Sequence, residues 1–208
     1  MRTFNITDYG AVESDLLQTK AIQAAIDDCF LAGGGEVVIP AGVYRTGGIR
    51  IRSNVTLHLL SGAILEGSRD PDDYNAWRED KLEPIDAPAE EPKKYRSATR
   101  TSRWNNAMIR AFDAHDFAII GEPGSIINGM NCFDPSGEEN YRGPHGINIW
   151  DCERVTLRGY TLRATGNWAH AIFRTKDLDI RGVTVQGGHD GLDVFLCENV
   201  LIEDCKFW

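Results

Sequence analysis

The later part of the sequence repeats itself, and this repeat restricts the fold more than any other feature. Three segments align without a gap: GINIWDCERVTLRGYTL at 146–162, AHAIFRTKDLDIRGVTV at 169–185 and GLDVFLCENVLIEDCKF at 191–207. Val155, Leu178 and Val200 share one position of this alignment, with spacings of 23 and then 22 residues. Two earlier segments fit the same template, 49–65 with Val55 and 106–121 with Phe117.

Each unit holds two short alternating strands around a polar corner, such as DCER, TKD or CEN. A period in the low twenties without a helix in each repeat is typical of a solenoid. The pattern of leucine-rich repeats is absent. We therefore predict an all-β solenoid, a right-handed single-stranded parallel β-helix in which equivalent residues stack about 4.8 Å apart. The alternative, a β-sandwich of hairpins, does not explain the ungapped register.

The stretch TKAIQAAIDDCFLA (19–32) places Ala21, Ile22, Ile26 and Phe30 at helical spacing, and GGG follows it. Apolar residues at this spacing predict an amphipathic helix, and the glycines predict its end. A solenoid needs its open end covered. The sequence therefore predicts an N-terminal capping α-helix.

We expect one β-helix domain over 1–208. The cap helix and first strands occupy 1–48, and the coils occupy 49–208. Insertions are expected at about 68–105 and 131–142, where the spacing between repeats exceeds one period.

Charge and hydropathy restrict the partners. The net charge, 22 − 31 = −9, argues against nucleic acid. No apolar stretch approaches the ~18 residues of a membrane helix, so no membrane partner is expected. The N-terminus lacks the pattern of a signal peptide, and a cytoplasmic protein is expected, although a secreted protein with its signal trimmed would read the same.

The cysteine pattern favours free thiols. An odd count without C-x-x-C spacing argues against a disulfide framework or a zinc site. Buried free thiols are expected at all five positions: Cys29, Cys132, Cys152, Cys197 and Cys205.

Several segments resemble those of a known enzyme family. They are ITDYGAVESDLLQTKAIQAAIDDC followed by GGGEVVIPAGVY, then GSIINGMN, RGPHGI and HDGLDVFLCENVLIEDCKF. The sequence resembles the pectin-degrading β-helix enzymes, and in particular the polygalacturonases of glycoside hydrolase family 28. The resemblance covers essentially the whole chain, but only the N-terminal part of a family 28 catalytic domain.

The resemblance implies catalytic residues. In family 28 the chemistry rests on three aspartates, one in N-T-D-G-x-D and two in a following G-D-D. G-H-D replaces N-T-D here, so Asp190 matches the first aspartate and Asp193 the last residue of N-T-D-G-x-D. The family's spacing places the next pair near positions 211 and 212, whereas the sequence ends at Trp208. An inverting hydrolysis is implied, with no metal or organic cofactor. A turn is the alternative for Asp190 and Asp193, since Asp and Gly are common turn residues.

Other residues are candidates for contact with a sugar. The repeat register aligns His145, Trp168 and Asp190 in a column along one edge of the solenoid. Trp168 is either a platform for a sugar ring or a packing residue. His170 and His189 are expected near the same edge as substrate-binding residues.

The first insertion is rich in charge, and its second part includes Arg100 and Arg103. We expect this loop to fold over the groove and offer cations to uronate carboxylates. A solvated loop is the alternative.

The partner expected from the resemblance is a pectic, uronate-containing polysaccharide or oligosaccharide. Two other functions stay open: a lyase of the same superfamily, and a non-catalytic carbohydrate-binding or structural β-helix. An open C-terminal coil would expose unpaired strand backbone, so self-association through this coil is expected if Trp208 is the true terminus.

Overall fold

The computed structural model describes residues 1–77 and 103–208, and its strands form three parallel sheets. Sheet 1 contains, in spatial order, β1 (Thr3–Asn5), β2 (Gly35–Ile39), β5 (Val55–Leu59), β8 (His115–Gly121), β11 (Glu153–Arg158), β14 (Lys176–Arg181) and β17 (Glu198–Glu203). Sheet 2 contains β4 (Ile49–Arg50), β7 (Ala107–Phe112), β10 (His145–Trp150), β13 (His170–Phe173) and β16 (Asp193–Phe195). Sheet 3 contains β3 (Gly42–Thr46), β6 (Ala63–Gly67), β9 (Ile126–Asn128), β12 (Thr161–Arg163), β15 (Thr184–Gln186) and β18 (Lys206–Phe207).

The pairing of the strands confirms the predicted register. Val155 of β11 pairs with Phe117 of β8 and with Leu178 of β14, which in turn pairs with Val200 of β17. Thr56 pairs with Ala118, so Val55 lies opposite Phe117 as predicted. The protein is a right-handed single-stranded parallel β-helix, and the sandwich alternative is wrong.

The core consists of residues stacked coil upon coil inside the three sheets. One such stack in sheet 1 runs through Val37, Leu57, Ile119, Leu157 and Ile180, each at most 1 % exposed. Burial of each Leu or Ile side chain contributes about 1.5–3 kcal/mol. The ungapped repeat thus produces a continuous apolar column.

The N-terminal cap is present as α1 (Thr19–Leu31). Its buried face is formed by Ile22, Ala25, Ile26 and Cys29, the i, i+3, i+4, i+7 set of an amphipathic helix. Phe30, predicted on this face, is instead 42 % exposed. It lies one residue beyond the position that Cys29 fills.

The polar corners between sheets 2 and 1 have a repeated backbone conformation. Corner residues at one register position adopt left-handed φ values of 53–63°: Asn54, Asp116, Arg154, Asp177 and Asn199. Asn and Asp tolerate this region better than most residues. The corner composition therefore fits the turn that each coil repeats.

All five cysteines are free thiols. Cys29, Cys132 and Cys152 are buried as expected, whereas Cys197 and Cys205 are partly exposed. Among the described residues, no helix has the length and apolar character needed to cross a membrane.

Candidate active site

Two aspartates lie where β16 begins on sheet 2. Asp193 is the first residue of β16 and pairs with Ala171 of β13. Asp190 precedes the strand, and its carbonyl accepts a hydrogen bond of 2.8 Å from the backbone N–H of Ala169. Pairing with the preceding coil therefore holds both ends of the Asp190–Asp193 segment.

The two carboxyls differ in environment. Asp190 is exposed, whereas Asp193 is half-buried and its Oδ2 is buried without a hydrogen-bond partner among the described residues. Desolvation, and then the negative charge of Asp190, raise the pKa of Asp193 to about 6. A carboxyl with this pKa changes its protonation near neutral pH, as acid–base chemistry requires.

We predict that Asp190→Asn lowers the pKa of Asp193 from about 6, because one of its two causes is removed. The pKa should stay above the usual ~3.9 of aspartate, because desolvation is the larger cause. Carboxyl-carbon NMR titration measures both values. An unchanged Asp193 titration in Asp190→Asn would show that the two groups are not coupled.

The same shift predicts a pH dependence of stability. Because folding raises the pKa of Asp193, its contribution to the free energy of unfolding is fully present below about pH 3.9 and is lost as the pH rises through about 6. Asp193→Asn should remove this part of the dependence. Urea unfolding at several pH values measures it, and identical pH profiles for the two proteins would contradict it.

The predicted column of His145, Trp168 and Asp190 is present on sheet 2. Ile147 pairs with His170, which puts His145 opposite Trp168, and the pairing of Ala171 with Asp193 puts Trp168 opposite Asp190. His145 is fully buried, however. Its burial lowers its pKa to about 3, so the ring is neutral.

Trp168 is half-buried in an aromatic cluster. Its ring centroid lies 4.9 Å from that of Trp104 at an interplanar angle of 88°, and 6.1 Å from that of Phe195 at 18°. The His145 ring lies 5.6 Å away. These contacts favour the packing alternative for most of the indole, which leaves only its exposed part for a sugar.

The structure corrects the prediction for His170, which is 1 % exposed and cannot contact a polysaccharide. Its Nδ1 lies 2.9 Å from the carbonyl oxygen of Gly191, and its Nε2 lies 3.0 Å from the hydroxyl of Tyr160. The side chain points into the coil because it occupies the same register position as Ile147.

His189 stays a candidate for substrate contact, because it is only partly buried and lies beside Asp190. Its ring lies 5.7 Å from that of Tyr141. Desolvation, and then the positive charge of Arg142, lower its pKa, so the ring is neutral at neutral pH. Arg142 donates hydrogen bonds to Glu139 (3.1 Å) and, more weakly, to Asn167 (3.3 Å). The insertion at 131–142 thus adds an aromatic ring and a cation near Asp190, which the sequence did not assign to the site.

Arg103 does not offer an open cation, and the prediction for it is corrected. Its Nε donates to Asp134 and its Nη1 donates to Asp72 at 2.7 Å, and these bonds raise its pKa. Arg103 therefore connects the short helix Pro71–Trp77 to the second insertion. Arg100 lies outside the described residues. Trp104, next to Arg103, donates its Nε1–H to Glu138 at 2.7 Å.

Sheet 2 also carries an aromatic ladder that the sequence analysis missed. Phe112, Trp150, Phe173 and Phe195 pair in register on successive coils. Trp150 and Phe173 stack at 4.0 Å, and Phe173 and Phe195 at 5.2 Å. The signal was present, since GINIW, AHAIF and GLDVF end in an aromatic residue at one position. Because these rings cover one another's faces, the ladder supports the sheet rather than a sugar.

No family model matches the chain. Over 74 residues, 35 % of the chain, it is 46 % identical to an exo-poly-alpha-D-galacturonosidase of Dickeya chrysanthemi. It is 26 % identical over 97 % of its length to a "Probable polygalacturonase" of Vitis vinifera. The predicted resemblance to the polygalacturonases is confirmed. The chain spans 12 % of the length of the first relative and 41 % of the length of the second.

Solved structures show the same fold. A hyperthermoactive exopolygalacturonase from Thermotoga maritima superposes on 99 % of this chain with a TM-score of 0.75 and 20 % identity. The match covers 52 % of that enzyme. The likeness shows that the two chains share the parallel β-helix fold.

Proposed function

We propose that the protein is a glycoside hydrolase of the polygalacturonase type, which cleaves glycosidic bonds in pectic, uronate-containing polysaccharide with inversion. The observation that carries the proposal is the placement of Asp190 and Asp193 together at the entrance of β16, where pairing with the preceding coil holds both. The H-D-G-L-D motif around them and the names of the relatives support the reaction and the substrate class.

An inverting hydrolase needs a base that activates water and an acid that protonates the leaving oxygen. We assign the activation of water to Asp190, with Asp193 beside it on the same strand entrance. The raised pKa of Asp193 lets this carboxyl hold or release a proton near neutral pH, as groups in acid–base sites do. The acid that protonates the leaving oxygen is then a third carboxyl, on the opposite side of the glycosidic bond.

Recognition of uronate requires a cation within reach of the site. Among the described residues, we assign this role to Arg142, since its charge acts on His189 next to Asp190. Its Nε donates to Glu139 and its Nη1 to Asn167, which fixes the direction of the guanidinium. Unlike Arg103, Arg142 donates hydrogen bonds to one carboxylate rather than two, and a guanidinium matches a carboxylate in geometry. His189 and the exposed part of Trp168 complete the proposed contact surface.

A substrate panel tests the proposal. The native protein, produced from its complete gene, should release reducing ends from polygalacturonate and not from a neutral galactan. Binding of galacturonate oligomers without release would favour the non-catalytic carbohydrate-binding alternative and contradict the hydrolase. The lyase alternative is less favoured, because a relative that matches 97 % of the chain bears the name "Probable polygalacturonase".

Self-association stays a prediction. The last coil exposes apolar side chains, among them Leu196, Val200, Ile202, Phe207 and Trp208. Sedimentation of the 208-residue chain at micromolar concentration should show species larger than a monomer. A monodisperse monomer would contradict it.

A further inference from the structure

A buried hydrogen-bonded pair lies directly beneath the Asp190–Asp193 segment. Tyr160 is fully buried and His170 is 1 % exposed. The carbonyl of Gly191 can only accept a hydrogen bond, so Nδ1 of His170 carries the proton and donates to it at 2.9 Å. Nε2 of the neutral ring is then an acceptor, and the Tyr160 hydroxyl donates to it at 3.0 Å. The partners thus define both the tautomer and the orientation of the ring.

The position of His170 in the coil is unusual for a polar residue. On the preceding coil its partner is Ile147, and on the following coil the register places Leu192 there. Burial of a polar ring costs free energy unless its atoms are hydrogen-bonded. An apolar residue would fill the same space without that cost. Any function of the ring must therefore lie in its two hydrogen bonds, to the carbonyl of Gly191 and to the hydroxyl of Tyr160.

The segment that His170 holds is paired with the preceding coil at its two ends, Asp190 and Asp193, and between them His170 adds a bond at Gly191. The segment follows Gly187 and Gly188, which adopt positive φ values of 65° and 90°. Glycine has the greatest backbone freedom of any residue, so this turn alone does not determine where the next residues lie. The bond from Ala169 holds the carbonyl of Asp190, and the bond from His170 holds the carbonyl of Gly191.

We propose that His170, oriented by Tyr160, is a positioning residue that fixes the relative placement of Asp190 and Asp193 through the carbonyl of Gly191. The expected effect of His170 on the reaction rate rests on the proposed function. Its expected effect on the placement of Asp190 and Asp193 does not. Displacement of a catalytic group by about 1 Å can lower a rate by about 10²-fold. His170 therefore acts on the reaction without touching the substrate.

The test compares His170→Leu with His170→Asn. The next coil has Leu192 at this register position, so the His170→Leu protein should fold. Leucine, however, cannot donate a hydrogen bond to the carbonyl of Gly191. Asparagine keeps a donor close to the position of Nδ1. We expect His170→Leu to change the NMR titration of the Asp193 carboxyl and to speed amide exchange at Leu192, and His170→Asn to restore both in part. Kinetically, His170→Leu should lower kcat about 10²-fold with little change in KM.

Two further variants separate positioning from packing. Ile147→Val removes core volume at the same register position one coil earlier and should leave the Asp193 titration unchanged. Tyr160→Phe removes one hydroxyl and should shift the titration in the same direction as His170→Leu, but less; this variant decides the test if His170→Leu does not fold. The proposal would be overturned if both His170→Leu and Tyr160→Phe left the titration of Asp193 and the amide exchange of Leu192 unchanged. Because both readings are independent of turnover, an inactive protein would contradict the proposed function without deciding the role of His170.

Discussion

Asp190→Asn is expected to lower kcat on polygalacturonate by about 10²- to 10⁴-fold, the range that general acid–base catalysis supplies. Asparagine has nearly the shape of aspartate but cannot take the proton of an attacking water. Asp190 is exposed, so the fold should not depend on its charge. Release of reducing ends by the native protein and by the variant measures the effect, and KM should change little.

The matched control is Asp204→Asn. Asp204 is also exposed, but it lies in the corner after β17, between sheets 1 and 3. Its φ of 53° is in the left-handed region that asparagine tolerates, so the corner should keep its conformation. Activity within twofold of the unchanged protein is expected. Equal losses in the two variants would mean that Asp190 has no special role.

Leu157→Ala is expected to destabilise the fold by about 2–5 kcal/mol, as buried Leu-to-Ala changes do. Leu157 of β11 is fully buried, and it is stacked between Ile119 and Ile180 of the neighbouring coils. The cavity cannot close readily, because parallel pairing on both sides fixes the strand. The urea midpoint of unfolding, with an unchanged m-value, measures the loss.

The neighbouring residue provides the control for this change. Thr156 precedes Leu157 on β11 but is only partly buried, on the outer face of sheet 1. Because successive residues of a strand point to opposite faces, Thr156→Ala leaves the core intact. A change of about 0.5 kcal/mol or less is expected. Comparable losses at both positions would contradict the inward direction of Leu157.

The stacking of Val155, Leu178 and Val200 could be predicted because the sequence spacing of a solenoid translates directly into neighbours on adjacent coils. The same register correctly aligned Trp168 with Asp190. The spacing of the repeats does not, however, predict whether the first side chain of a strand points into the coil or towards the groove. His170 is the first residue of β13 and points inward, whereas the sequence suggested the groove edge.

Contacts within and between the insertions could not be predicted, because they follow no repeat. Arg103 reaches Asp72 and Asp134, each 31 residues away in sequence, and these carboxylates offset its charge. Trp104 likewise bonds Glu138 across 34 residues. Such pairs form only once the coils have brought both segments to the same edge.

The mass spectrum of the products formed from polygalacturonate by the native protein tests the central claim most directly. Hydrolysis at the Asp190–Asp193 site adds one water to each cleaved bond, so the account predicts saturated oligogalacturonates, formed by the unchanged protein and nearly absent with Asp190→Asn. Unsaturated products, lighter by one water, would mean elimination by a lyase. Saturated products formed equally by both proteins would place the chemistry elsewhere and contradict the account.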